Sequence, residues 1–215
     1  MGITERKERE KKQRVDTILE AAQQVLTEKG MEAATVNDVA LQAELGKGTL
    51  YLYFKSKDEI LQALCNEALE ELQASFVKAT KNKKTGLEKM TAIGMAYFEF
   101  YKKSPLKFQL INYLNHSTPE TGEAPSIQMQ QCLGTAQKTI GYMVECILQG
   151  MEDKSISKHI DPLQTALLCW SASTGVIQSI SVHGDYMKKD FGINANTFTS
   201  YYFSLMNSML KEYKP

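Results

Sequence analysis

The side chains best suited to chemistry lie in residues 35–57, where hydroxyl, amide, tyrosine and lysine groups are interspersed with small apolar residues. Two short helical patterns flank a tight turn at residues 44–46, and Lys55 and Lys57 follow the second pattern. A helix-turn-helix has this layout and places its second helix in the major groove of DNA. The segment therefore predicts hydrogen bonds to phosphates and to base edges.

The polar groups of this segment cluster at the starts of its two short helices. The Thr35 hydroxyl can cap the first helix, and a helix N-terminus also attracts an anion such as a phosphate. Lys47 and Thr49 lie where a recognition helix points its N-terminal end at the bases. Gly48 either allows close approach of the backbone to DNA or only makes the helix start flexible. We expect Leu52 to project outward and to contact the groove.

Apolar residues recur at helical spacing along the whole chain and predict an all-α protein of about nine helices. Leu50 and Phe54, four residues apart, are expected to face the core. Gly30 is the expected end of the first helix, and the segment 116–125 is the clearest predicted loop. The predicted helices cover about 15–29, 35–43, 47–54, 56–80, 86–102, 104–115, 126–151, 161–182 and 196–213.

The charge balance favours a specific DNA reader over a general nucleic-acid coat protein. Lys and Arg number 25 and equal Asp and Glu, and residues 1–60 hold 10 basic and 11 acidic residues. A coat protein is basic throughout, whereas a specific reader needs only a local positive face. The charged residues 1–14 are either a solvated tail or an arm that follows phosphates or the minor groove.

The cysteines and the hydropathy profile predict a cytoplasmic protein. None of the four cysteines forms a CxxC pair, and each lies in a helical apolar pattern. Buried thiols in a reducing compartment explain this usage, and redox sensing is the alternative. We find no apolar leader and no run of about 20 apolar residues, so neither secretion nor a membrane span is expected.

Two motifs carry a resemblance to a known family. T-V-N-D-V-A-x-x-A and then G-K-G-T-L-Y-x-Y-F-K-S-K-D-E-I-L resemble the N-terminal domain of the TetR family of bacterial transcriptional repressors, over about residues 10–65. The family usually has glycine at the position of Glu44 and often serine at that of Gly46. Glu44 is therefore expected either to adopt a left-handed conformation or to belong to a slightly different turn.

The resemblance implies a DNA-binding domain over residues 1–58 and a helical regulatory and dimerisation domain over 59–215. By the same resemblance Tyr51 and Tyr53 are paired DNA contacts, with half-buried packing as the alternative for each, and Lys57 is a phosphate-binding lysine. The expected contacts to double-stranded DNA are Thr35, Asn37, Lys47, Gly48, Thr49, Tyr51, Leu52, Tyr53 and Lys57.

The family's regulatory domain implies a homodimer that binds a palindromic operator and is released by a small-molecule effector. We expect the helices at about 162–182 and 196–213 to form the dimer interface, with close approach at Ser171, Ala172, Ser173 and Gly175, and burial within the monomer is the alternative. An apolar or aromatic effector is expected in a pocket whose candidate wall residues are Phe98, Tyr101, Phe108, Tyr113, Met143 and Trp170; ordinary core packing is the alternative for each.

Three other functions remain as alternatives. A TetR-like activator or a ligand-independent regulator would share the DNA-binding segment, whereas a helical small-molecule carrier would not bind DNA. An enzyme is not expected, because the sequence has no P-loop and no GxGxxG motif, and its three histidines lack metal-ligand spacing. Neither a cofactor nor a metal site is predicted.

Overall fold

The computed structural model describes residues 2–113 and 124–214, and within these ranges it contains nine α-helices and no strand. The all-α prediction is confirmed. The helices are α1 (Ile3–Ala33), α2 (Val36–Gln42), α3 (Lys47–Tyr51), α4 (Lys57–Thr80), α5 (Gly86–Lys103), α6 (Pro105–Tyr113), α7 (Ile127–Glu152), α8 (Pro162–Phe191) and α9 (Ala195–Glu212). Most of the predicted loop at 116–125 lies outside the described residues.

The chain divides into two compact units. Unit 1 contains the described residues of 1–69 and 106–134, and unit 2 contains those of 70–105 and 135–215. The four cysteines are buried free thiols, as expected of cysteines that pack within apolar helix faces. The functional division of the chain at residue 58 stays a prediction.

The first helix begins twelve residues earlier than its apolar pattern predicts. Residues 3–14 are helical, so they form neither a frayed tail nor an irregular arm. Glu, Lys, Arg and Gln are good helix formers, and the Arg6 guanidinium bonds to Glu10, one turn on, at 2.8 Å. Gly30 interrupts the helix with a φ of +79°, as its predicted stop requires, and one further turn follows it.

The eighth helix also exceeds its prediction, because it reaches Phe191 instead of about Val182. Gly184 lies inside the helix and does not end it. The end comes at Gly192, whose φ of +66° lets the Ile193 amide donate to the Met187 carbonyl.

By length and composition α8 could cross a membrane, with a mean hydropathy of 1.2 in its most apolar stretch, of which 33% is buried. An interface helix can have the same composition.

Unit 2 is built around aromatic side chains. The Tyr97 ring stacks on Trp170 with 5.0 Å between centroids and meets the edge of Phe76 at 6.4 Å. The Tyr97 hydroxyl bonds to Thr174 at 3.0 Å, so this buried polar group is satisfied. Helices α5, α8 and α9 contact each other pairwise around this core.

Candidate DNA-binding site

The start of α2 is fixed by a reciprocal pair of hydrogen bonds. The Asp38 amide donates to the Thr35 Oγ1 at 3.2 Å, and the Thr35 amide donates to Asp38 Oδ2 at 3.0 Å. The predicted cap is confirmed, and it forms a capping box. Since the Thr35 hydroxyl also donates to Asp38 Oδ2 at 2.7 Å, a phosphate at this position would compete with Asp38 for that hydroxyl.

An ion pair reinforces this cap. Lys29 Nζ lies 2.7 Å from Asp38 Oδ1. The hydrogen bond from Lys29, with those from the Thr35 hydroxyl and amide, lowers the pKa of the Asp38 carboxyl to about 2. The carboxylate is therefore ionised at neutral pH and holds α2 against the end of α1.

The turn between α2 and α3 adopts one of the two conformations expected at Glu44. Glu44 adopts a φ of +53°, and its amide donates to the Leu41 carbonyl at 3.1 Å. The Leu45 amide donates to the Ala40 carbonyl at 2.9 Å, and the Leu45 side chain is half-buried. The left-handed alternative is thus confirmed, and the turn keeps its hydrogen bonds without a glycine at position 44.

The recognition helix is shorter than predicted: its regular part ends at Tyr51 instead of about Phe54. The amides of Tyr53 and Phe54 both donate to the Leu50 carbonyl, at 2.9 and 3.0 Å, so the last residues form a tight turn. Leu50 and Phe54 are buried as expected. Leu50 and Phe54 are anchored in the core four residues apart, and α4 begins shortly after Phe54. No further helical turn of α3 fits between these positions.

The remaining side chains of the recognition segment (Lys47–Tyr53) face solvent to different degrees. Leu52 is 82% exposed and Tyr51 41% exposed, while Tyr53 is half-buried. Lys47 Nζ lies 5.8 Å from the centroid of the Tyr51 ring, a cation–π contact that orients both groups. Thr35, Asn37, Lys47, Gly48 and Thr49 are exposed.

Charge around the recognition segment favours an anionic partner. Residues 45–57 contain three lysines and no carboxylate, although the whole chain has no net charge. The half-buried Lys57 donates from Nζ to the Glu32 carbonyl at 3.1 Å, which holds the ammonium in place and leaves its other hydrogens for a second acceptor. Ser56 caps α4 by accepting from the Glu59 amide at 3.2 Å.

Unit 2 contains a small cavity among α4, α5, α7, α8 and α9. Of the six predicted pocket residues, Met143 and Trp170 line it. Its walls are Phe76, Met90, Thr91, Ile93, Gly94, Tyr97, Met143, Cys169, Trp170, Ser173, Tyr202, Phe203, Met206, Asn207 and Leu210. The volume is about 30 Å³, roughly that of one water molecule.

The other four predicted pocket residues lie elsewhere. Phe98 is buried against the rings of Tyr202 and Phe203, at 6.0 and 5.2 Å between centroids, and Tyr101 is half-buried on α5. Phe108 and Tyr113 belong to unit 1, where the Tyr113 hydroxyl donates to Asp58 at 3.0 Å. Aromatic content alone does not tell which face of a helix a ring occupies.

Sequence patterns missed the polar residues of the cavity. The Thr91 hydroxyl lies 2.9 Å from Asn207 Oδ1, and the Ser173 hydroxyl lies 2.8 Å from that of Tyr202. Ser173 is therefore buried and does not lie on the outer face of α8, contrary to its expected place in a dimer interface. Its position, four residues before the buried Ile177, was the available signal.

The cavity lining carries no charge. It contains no Asp, Glu, Lys, Arg or His. Burial raises the pKa of the Cys169 thiol to about 11 and also raises the pKa of the Tyr202 hydroxyl, so both groups are neutral at physiological pH.

The capped α2, the tight turn and the exposed α3 define a helix-turn-helix DNA-binding protein. Residues 18–64 match the model of the family described as bacterial regulatory proteins, tetR family. The chain is 28% identical to the uncharacterized HTH-type transcriptional regulator YhgD of Bacillus subtilis, over 70% of this chain and 75% of that protein. Residues 18–64 thus form a TetR-family DNA-binding domain.

A second relative and a solved structure agree with this assignment. The chain is 25% identical to the HTH-type transcriptional repressor KstR2 of Mycolicibacterium smegmatis, over 69% of this chain and 70% of that protein. The fold matches that of the regulator FadR from Bacillus subtilis, solved with stearoyl-CoA: the TM-score is 0.65 at 19% identity, covering 89% of this chain and 97% of that one. Because the relatives are transcriptional regulators, the comparisons confirm that the chain is not an enzyme.

Proposed function

We propose that this protein is a cytoplasmic, ligand-responsive repressor that binds a palindromic operator as a homodimer and is released by a small-molecule effector. The observation that carries the proposal is the exposed recognition segment: Lys47, Thr49, Tyr51 and Leu52 face solvent on a helix whose opposite side is anchored by the buried Leu50. Similarity to a named repressor supports repression over activation.

An exposed stripe on α8 supports the dimer. Its residues recur at alternating intervals of four and three, so they share one face of the helix. Leu168 is 52% exposed and Val182 73% exposed, which is costly for apolar groups unless a partner covers them. We define the α8 stripe as Gln164, Leu168, Ser171, Gly175, Gln178 and Val182.

Helix α9 offers a second exposed surface for the same interface. Tyr201 and Leu205, one turn apart, are 62% and 53% exposed. Gly175 has open space around its Cα, so a second backbone can approach α8 closely there. Two copies related by a two-fold axis would each contribute one recognition segment, and a palindromic operator is the DNA that matches this symmetry.

The cavity supports a ligand that selects one state of the regulator. At about 30 Å³ it is far below the several hundred Å³ of a typical ligand site. An effector must therefore displace flexible wall residues such as Met90, Met143 and Met206, and it binds only the rearranged state. Such differential binding is what a ligand needs to shift an equilibrium between two states.

The chemistry of the walls favours an uncharged, mainly apolar or aromatic effector group. The Tyr97–Trp170 stack offers a flat apolar surface, and Thr91 with Asn207 offers a hydrogen-bonding group at one side. The FadR structure holds stearoyl-CoA, a ligand with a long apolar chain. A comparable apolar group would suit this cavity, with any charged portion outside it.

Tyr51→Ala should weaken operator binding by about 1–3 kcal/mol without unfolding the protein, because it removes one hydroxyl and one ring from the exposed face of α3. The duplex is selected by the wild-type protein from a random library, and affinity is measured by fluorescence anisotropy. Met95→Ala is the control, since Met95 is 53% exposed on α5, outside the recognition segment and the proposed dimer helices. Equal affinity in the two variants would contradict the role of Tyr51.

Trp170 is the single tryptophan of the chain, so its emission should report effector binding directly. Titration with fatty acids, acyl-CoA thioesters and steroids should quench or shift the emission with one class, and that class should also release the selected duplex. Thr91→Val should weaken the binding of this ligand, because the substitution removes a polar group from the cavity. A ligand that changes emission without affecting DNA affinity would contradict its role as effector.

A further inference from the structure

A groove in unit 1 extends the surface next to the recognition segment. One wall is the N-terminal part of α1, through Lys7, Glu10, Lys11 and Arg14, and the other is formed by Leu52 and Tyr53. Lys7, Lys11 and Arg14 are spaced by four and three residues, so they lie on the same face of α1. The helical start of α1 thus brings three cations beside two residues of the recognition segment.

The groove is positively charged. It has three cationic side chains and one carboxylate, that of Glu10, and this carboxylate is paired with Arg6 at 2.8 Å. Lys7, Lys11, Arg14 and Leu52 are all exposed. A cationic groove that continues the exposed face of a recognition helix is complementary to a polyanion such as the DNA backbone.

We propose that this groove, here called the α1 groove, is an additional DNA-backbone site in which Lys7, Lys11 and Arg14 bind phosphates flanking the bases read by α3. The proposal rests on the proposed DNA-binding function. From Lys7 to Arg14 the helix rises ~10 Å, a length comparable with the axial rise of about three base pairs of B-DNA. Because α1 is already helical, binding requires less ordering than a disordered basic tail would.

The test compares two double variants that each remove two positive charges from the same part of α1. The double variant Lys7→Gln with Lys11→Gln removes two cationic side chains from the lining of the α1 groove. The double variant Arg9→Gln with Lys12→Gln changes two exposed residues outside that lining. Glutamine is a good helix former, so α1 should persist, and circular dichroism checks this. Affinity is measured for the selected duplex and for a scrambled duplex at several salt concentrations.

The Lys7/Lys11 variant should lose roughly 10-fold or more in affinity for both duplexes, and its slope of log affinity against log salt should flatten by about 1.8. The Arg9/Lys12 variant should keep a slope near that of the wild type. Equal slopes in the two variants would overturn the proposal, as would a loss confined to the selected duplex. Wild-type protein that binds no duplex would instead refute the proposed function itself.

Discussion

Gly86→Ala should destabilise unit 2 by about 3 kcal/mol, because α5 and α7 touch there through backbone atoms. A Cβ at Gly86 would lie 2.2 Å from the Gly150 amide nitrogen, 2.3 Å from the Gly150 Cα and 2.4 Å from the Cys146 carbonyl oxygen. No side-chain rotation relieves contacts with backbone, so the two helices must separate.

Separation would also break hydrogen bonds that hold the start of α5. The Gly86 amide donates to Asp153 Oδ2 at 2.8 Å, and the Leu87 amide donates to Ser155 Oγ at 3.1 Å. Although burial alone would raise the pKa of the Asp153 carboxyl, hydrogen bonds from Ser155 and from the Gly86 amide keep it below its ordinary value. The variant would therefore lose polar contacts as well as packing.

Urea unfolding of the wild type and of two glycine variants measures the effect. Gly141→Ala is the matched control, because Gly141 also lies in unit 2, on α7, with nothing within 4 Å of a Cβ built there. Alanine in that helix should leave stability unchanged or raise it by up to about 1 kcal/mol. If both variants unfold at the same urea concentration, the result would contradict the close backbone contact between α5 and α7.

Leu168→Glu should convert the proposed dimer to monomers and reduce operator affinity by at least ~10³-fold, toward non-specific binding. Leu168 lies in the α8 stripe, and a two-fold interface would bury both copies of the new carboxylate without a partner. A monomer presents one recognition segment and contacts only half of a palindrome.

Light scattering coupled to gel filtration reports the mass, and anisotropy with the selected duplex reports the affinity. Met95→Glu provides the control, since Met95 is 53% exposed in unit 2 but lies on α5, outside the α8 stripe. This variant should keep the mass and affinity of the wild type. A Leu168→Glu protein that still has the mass of a dimer would refute the interface.

The helix boundaries were most predictable where capping chemistry is local. Thr35 with Asp38 marks the start of α2, and Gly30 marks an end, because each depends on residues within one turn. The early start of α1 was not predicted, since residues 3–14 have no apolar stripe and are helical through propensity and charge pairs. Leu50 and Phe54 were placed correctly from their spacing alone.

The cavity was much less predictable than the recognition segment. Its walls come from five helices, and the Thr91–Asn207 contact joins residues more than one hundred positions apart. Local periodicity places Phe98 inside the fold but does not indicate that Tyr202 and Phe203 cover it. A recognition segment, by contrast, is contiguous, so its exposed and buried positions follow from one helical repeat.

The uncharged cavity lining also has a consequence for how the regulator responds to its surroundings. Binding within a neutral, apolar space changes little with ionic strength, whereas attachment to a polyphosphate weakens steeply as salt rises. If the protein is the ligand-released repressor proposed above, a rise in intracellular salt should weaken its binding to DNA while leaving effector binding unchanged. Release from DNA would then need less effector in a salt-stressed cell than in an unstressed one.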